Sequence, residues 1–180
     1  PQQTTPVPTT GLSILVDKEE IRTLLTDVTE KAKSMTERYR SLGIKRRMEL
    51  SFVITGEAGT GKTTVAKALA EELFQAGILT KKETLTVIPI NYDGFVKDLV
   101  KNAAQAAGGM LVVDEAEKLV PEGEAVEEAR IDYMLAAVKE WRGEVGKPVV
   151  VFTGLPRLKH FFSLNPNAAS AINYFVETSE

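Results

Sequence analysis

Cysteine is absent from the 180 residues, which excludes disulfide cross-links and thiolate metal sites. The single histidine, His160, stands beside Phe161 and Phe162 and reads as a partly packed loop residue rather than a metal ligand. No apolar run approaches the ~20 residues that a membrane-spanning helix needs, and no signal peptide is evident. The expectation is a soluble, cytoplasmic protein with no membrane partner. Positive charge is not in excess either. With 22 basic against 25 acidic side chains the net charge is −3, so no global basic field recruits nucleic acid. The short run Lys45-Arg46-Arg47 is expected to be a solvated helix end. The chain begins at Pro1 rather than methionine, which suggests an excised domain whose natural polypeptide is longer.

What is present suits one globular domain with a real core, since 43% of residues are hydrophobic and 26% charged. Residues 1–10, rich in Pro, Thr and Gln, read as a disordered lead-in to a domain over 11–180. From Asp17, apolar residues recur at helical spacing through Ile21, Leu24, Leu25, Val28, Ala32, Met35, Tyr39 and Leu42 until Gly43. This predicts one long amphipathic helix, or two in succession. Strands are predicted at 49–54, 85–90, 108–113, 148–153 and 172–176, with helices at 63–76, 95–107 and 125–141 between them. Pro89 favours an edge position for the second strand. Strands separated by helices imply parallel βαβ units and a three-layer αβα sandwich. No internal repeat is visible.

Residues 56–63 read Gly-Glu-Ala-Gly-Thr-Gly-Lys-Thr, between the first strand and a helix. Glycines at 56, 59 and 61 permit a tight turn with backbone N–H groups pointing inward, and the following helix adds its N-terminal partial charge. Such a loop cradles a di- or triphosphate. Lys62 can reach the terminal phosphates and the Thr63 hydroxyl can ligate Mg²⁺. The third strand ends in Asp114-Glu115, and a doubly wound sheet gathers such strand ends at one edge. There Asp114 would hold Mg²⁺ through water, while Glu115 would orient and polarise an attacking water. The plain alternative is a pair of acids entering a turn.

Four segments carry a resemblance: Gly-Thr-Gly-Lys-Thr-Thr-Val-Ala-Lys (59–67), Ala-Gly-Gly-Met-Leu-Val-Val-Asp-Glu-Ala (107–116), Val-Val-Val-Phe-Thr-Gly-Leu (149–155) and Phe-Phe-Ser-Leu-Asn-Pro (161–166). Together they resemble AAA+ ATPases of the CbxX-like group, which includes red-type Rubisco activases and ATPase modules of some secretion and sporulation proteins. The similarity runs from about Leu12 to Val176. It implies a five-stranded P-loop NTPase sheet, ATP hydrolysis at subunit boundaries, ring assembly and remodelling of a protein partner. The implied nucleotide contacts are Gly56, Glu57, Ala58, Gly59, Thr60, Gly61, Lys62, Thr63 and Thr64, with Thr64 near the α-phosphate. Thr63 and Asp114 are the implied metal ligands, and Lys62, Asp114, Glu115 and Thr153 the catalytic set. Thr153 would sense the γ-phosphate, unless it is a strand-end threonine satisfied by backbone. Leu12 to Val16 fall where the family lines its adenine pocket.

The chain also departs from the family pattern. An arginine that reaches the neighbouring subunit's site is expected after Asn165-Pro166, and the aligned position is Ala171. Loss of such a finger costs ~10³–10⁵ in rate in related phosphoryl-transfer systems. Arg157, Arg130 and Arg142 are the nearest substitutes. Between the second strand and the next helix only Asn91-Tyr92-Asp93-Gly94-Phe95-Val96 remain for a substrate-threading loop. Phe95 is expected in the core, and Tyr92 in a tight turn with Asp93-Gly94. The family's helical lid is expected to be absent after the fifth strand, with weaker enclosure of base and ribose. Three functions stay open: an ATP-driven remodelling or assembly module; a nucleotide-dependent switch or scaffold with little hydrolysis; and a small-molecule P-loop kinase. The acidic run Pro121 to Glu128 argues against the anionic acceptor of the last. ATP rather than GTP is the family expectation.

Overall fold

The computed structural model describes residues 19–120 and 128–178. The lead-in at 1–10, the segment Leu12 to Val16 and the acidic run at 121–127 lie outside them. Five strands alternate with helices: α1 (Glu19–Ser41), β1 (Ser51–Thr55), α2 (Lys62–Gln75), β2 (Thr84–Val87), α3 (Tyr92–Lys97), α4 (Leu99–Gln105), β3 (Met110–Val113), α5 (Glu128–Trp141), β4 (Val149–Gly154), α6 (Pro156–Leu164), α7 (Pro166–Ala171) and β5 (Tyr174–Glu177). The sheet order is β2-β3-β4-β1-β5. Every pairing is parallel, with Val113 opposite Phe152 and Ile54 opposite Thr153.

Both faces of this sheet are covered, which is why its central strands read as continuous apolar runs. Alternation along each strand splits the residues between two cores. Phe52, Ile54, Met110, Val112, Val149 and Val151 pack with Leu25, Val28 and Ala32 of α1 and with Val65, Leu69 and Leu73 of α2. Val53, Leu111, Val113, Val150 and Phe152 face the opposite way, onto Phe95, Leu99, Leu135, Leu158, Phe162 and Ala171. The result is the expected three-layer αβα sandwich with a five-stranded parallel sheet, and α1 is one helix that completes a layer. β2 is an edge strand, as Pro89 suggested, and it stops at Val87 before that proline.

Several local expectations are revised. The helix expected from Phe95 begins three residues earlier, because the Asn91 side chain accepts the Gly94 N–H at 2.8 Å and caps it. Tyr92 therefore opens a helix instead of lying in a turn, while Phe95 is buried as expected. The run then breaks at Asp98 (φ −100°, ψ 4°) into α3 and α4. His160 lies exposed on α6, not in a loop. Asn165-Pro166 is a cap and first-turn pair: Asn165 Oδ1 accepts the N–H groups of Asn167 and Ala168 at 3.0 and 3.2 Å.

Lys45-Arg46-Arg47 is not a helix end, since α1 stops at Ser41. Arg47 is 3% exposed, and its guanidinium donates to the Arg142 and Trp141 carbonyls at the end of α5, at 3.4 and 3.3 Å. Burial pushes the guanidinium down to about 10, against a smaller upward pull from Glu144, so it stays charged at neutral pH. Its stem and charge tie the segment entering β1 to the end of α5. Arg47→Ala is expected to lower the unfolding free energy by about 2 kcal/mol in urea denaturation.

Candidate nucleotide site

The turn between β1 and α2 is built by two glycines in the left-handed region, Gly59 (φ +79°) and Gly61 (φ +86°). Gly61 is the N-cap of α2 and offers no side chain, so the first-turn N–H groups of the helix have no side-chain cap. These donors and the helix dipole favour an anion. Gly56 serves differently. Its φ is not positive; a Cβ there would lie 2.1 Å from Thr178 Oγ1 and 2.5 Å from Thr60 Oγ1. Close approach, not turn conformation, demands glycine at 56. The Gly56 N–H donates to the Gly154 carbonyl at 3.1 Å, joining the loop to β4. Lys62 Nζ donates to the Gly56 and Glu57 carbonyls, both at 2.8 Å.

Parallel register sets Asp114, one residue past β3, beside Thr153 of β4. Thr153 is fully buried, and its hydroxyl donates to Asp114 Oδ1 at 2.7 Å. The threonine is satisfied by a carboxylate, not by backbone. The Glu115 N–H donates to the same oxygen at 2.9 Å. Two donors on one oxygen orient the carboxylate and leave Oδ2 for another partner. Glu115 is the one non-glycine with positive φ (52°) among the described residues. That conformation costs about 1 kcal/mol, and it turns the chain sharply out of β3. The Glu115 carboxylate, half-exposed, lies 3.0 Å from Lys118 Nζ.

A cavity of about 470 Å³ brings together Ala58, Gly59, Gly61, Lys62, Thr63, Thr64, Asp114 and Glu115. Gly56, Glu57 and Thr60 instead line a neighbouring hollow of about 460 Å³ with Thr55, Lys159 and Thr178. Thr153 stands behind Asp114 and lines neither. Glu117, which no motif includes, also lines the first cavity. It is 6% exposed, and its Oε1 accepts the Leu155 N–H at 2.8 Å, at the start of α6. A Cβ on Gly154 would fall 2.6 Å from that oxygen. The available sign was Gly154 itself, a glycine closing an apolar strand.

The other candidates fall elsewhere. Ala171 is fully buried at the end of α7, and its carbonyl accepts the Ser51 hydroxyl at 2.7 Å. An arginine there would enter the core rather than a neighbouring subunit. Arg142 pairs with Glu49 at 3.2 Å and donates to the Ser170 carbonyl at 2.8 Å, at the opposite end of the sheet from the loop. Arg157 is exposed and donates to the Val120 carbonyl at 3.3 Å. Arg130 lies in the first turn of α5. Among the described residues no group of three or more His, Cys, Asp or Glu side chains converges as a metal cage. Mg²⁺ sites commonly rely on one or two carboxylates plus phosphate oxygens, so the Thr63 and Asp114 donor set fits that ion.

A parallel sheet of order β2-β3-β4-β1-β5 with a glycine-rich loop leading from a strand into a helix defines a P-loop nucleotide-binding protein. Residues 52–159 match the family described as "ATPase family associated with various cellular activities (AAA)", and the chain belongs to that family. Its relatives include the chloroplastic ribulose bisphosphate carboxylase/oxygenase activase of Cyanidioschyzon merolae, 33% identical over 69% of this chain and 44% of the relative. The chromosomal protein CbxX of Cupriavidus necator is 30% identical over 71% of this chain and 42% of its own length. Stage V sporulation protein K of Bacillus subtilis is 29% identical over 69% and 40%. These are the CbxX-like group that the motifs resemble, and the chain spans less than half the length of each. In fold it is similar to PCH-2 of C. elegans (TM-score 0.57, 15% identity, 91% of this chain and 44% of that one). It is also similar to NtrX of Brucella abortus, solved in complex with ATP (TM-score 0.50, 15% identity, 93% and 42%).

The contact between Glu117 and Gly154 is open to direct measurement. Gly154→Ala is expected to destabilise the fold by about 1–3 kcal/mol through overpacking. In a double-mutant cycle read by urea unfolding, adding Glu117→Ala is expected to recover part of that loss, because it removes the atom the new methyl meets.

Proposed function

We propose that this AAA domain binds ATP with Mg²⁺ and hydrolyses it in association with neighbouring subunits, to remodel or assemble a protein partner. The observation that carries the reading is the oriented Asp114 carboxylate, 2.7 Å from the Thr153 hydroxyl, in one cavity with Lys62, Thr63 and Glu115. The N–H groups of the loop and of the first turn of α2 receive the phosphates. Lys62 exchanges the Gly56 and Glu57 carbonyls for phosphate oxygens. Asp114 Oδ2 and the Thr63 hydroxyl would hold Mg²⁺, which neutralises developing phosphate charge. Glu115 leaves its exposed ion pair with Lys118, which contributes little, and orients the attacking water. Thr153 acts through Asp114 and not through direct contact with phosphate. One relative is named an activase of ribulose bisphosphate carboxylase/oxygenase, which supports a protein as the partner.

A second reading, a nucleotide-dependent switch with little hydrolysis, is favoured by the placement of Arg142, a candidate finger that is tied to Glu49 and to the Ser170 carbonyl away from the loop. A missing finger slows turnover by ~10³-fold or more. Steady-state ATPase activity measured against protein concentration separates the two. Turnover that climbs with concentration supports subunits completing one another's sites, whereas a flat, near-zero rate with intact ATP binding supports the switch. Lys62→Ala is expected to abolish ATP binding in calorimetry. Glu115→Gln is expected to retain binding and lower turnover by ~10²-fold or more, the contribution of a positioned general base. Unchanged affinity in Lys62→Ala overturns the nucleotide assignment.

A further inference from the structure

Thr178 follows β5 and lies outside every motif that points to a nucleotide. It is nevertheless 6% exposed, and its hydroxyl oxygen lies 2.6 Å from that of Thr60 in the phosphate loop. Each hydroxyl has one proton to donate. The Thr178 hydroxyl has two acceptors, Thr60 Oγ1 at 2.6 Å and the Thr55 carbonyl at 3.2 Å, and the Thr60 hydroxyl has the Glu57 carbonyl at 2.8 Å. The two protons fill the two shortest contacts when Thr178 donates to Thr60 and Thr60 to Glu57. The backbone N–H of Thr178 donates to the Thr55 carbonyl at 2.8 Å. Thr178 is thereby joined to the chain on both sides of Gly56, and the space between holds no side chain: a Cβ on Gly56 would meet Thr178 Oγ1, Thr60 Oγ1 and the Thr178 carbonyl at 2.1, 2.5 and 2.9 Å.

The Glu57 carbonyl accepts from two side chains, Lys62 Nζ and Thr60 Oγ1, each at 2.8 Å. A lysine that turns to a phosphate deserts this carbonyl. Thr60 then keeps the loop's first peptides in place, and Thr178 holds Thr60 in the rotamer that does so. Thr178 itself faces the hollow beside the loop and not the cavity of Lys62 and Asp114, so any effect on a nucleotide passes through loop shape.

We propose that Thr178 is a positioning residue for nucleotide binding, whose hydroxyl holds the phosphate loop through Thr60 when Lys62 leaves the Glu57 carbonyl. This rests on the ATP-binding reading above. The test is calorimetric titration of the full chain with Mg·ATP and, separately, with inorganic triphosphate and Mg²⁺. Thr178→Ala is expected to raise Kd for both probes about five- to tenfold, the worth of one hydrogen bond. Equal losses are expected because the defect lies in the loop that both probes share. Thr178→Ser, which retains the hydroxyl, is expected to stay within about twofold of the original chain. Thr60→Ala combined with Thr178→Ala is expected to bind no more weakly than the worse single variant, since both break one relay.

A lowered Tm with unchanged Kd in Thr178→Ala overturns the proposal and leaves Thr178 a packing residue. A loss confined to ATP, with triphosphate bound as before, overturns it as well, because the defect then concerns the base or ribose. If Thr178→Ala does not fold, Thr60→Ala carries the test from the other end of the relay, and a Kd equal to that of the original chain overturns it. Lys62→Ala separates the two levels. Failure of the original chain to bind ATP removes the nucleotide reading and this inference together. Binding that Lys62→Ala abolishes and Thr178→Ala leaves intact removes the inference alone.

Discussion

Parallel pairing of β3, β4 and β1 in one register is the constraint on which the site depends. With Val113 opposite Phe152 and Ile54 opposite Thr153, the three strands end side by side, and the residues beyond them meet without any long-range design of their own. Asp114 reaches the Thr153 hydroxyl, Gly56 reaches the Gly154 carbonyl, and Glu117 reaches the Leu155 amide. The core residues on both faces enforce that register, since a slip by one residue would exchange the two apolar faces of each strand. The packing of Phe52, Val53, Phe152 and Val112 thus fixes the geometry of groups that carry charge. Stability and chemistry share the same strands.

Within the site, polar groups are held from behind. Thr153 donates to Asp114 from a fully buried position, Glu117 anchors the turn after β4, and Thr178 joins Thr60 beside the loop. None of these three extends the phosphate loop or the Asp-Glu pair in sequence, yet each determines where part of them sits. This division suits a site that must exchange ligands. Lys62 and Glu115, which line the cavity, stay partly exposed, while Thr153, Glu117 and Thr178 behind them are buried and hydrogen-bonded.

Much of this was legible in the chain itself. The periodic run from Ile21 to Leu42 reported α1, the apolar runs reported the five strands, and Pro89 reported the edge. Gly59, Gly61, Lys62, Thr63 and the Asp114-Glu115 pair marked the loop and strand end that the fold brings into one cavity, because backbone turns and strand-end acids leave local marks. The errors have local physical reasons too. Asn91 started a helix where a turn was expected, through one side-chain cap. A run of three cations reads on average as surface, although the Arg47 guanidinium is buried against the end of α5. The family resemblance sets Ala171 where a surface arginine is expected, whereas the end of α7 points it into the core.

The sequence alone therefore determined the fold class, the family and the place of the phosphate loop, since periodicity, turn residues and contiguous motifs are properties of neighbours along the chain. Tertiary structure decided which groups stand behind that loop. It divided Gly56, Glu57 and Thr60 from the cavity of Lys62 and Asp114, and it assigned Thr153 to Asp114 and Thr178 to Thr60. Thr60 and Thr178 are 118 residues apart in the chain and 2.6 Å apart in space. Only the parallel sheet, which sets β5 beside β1, creates that contact, and no local pattern records it.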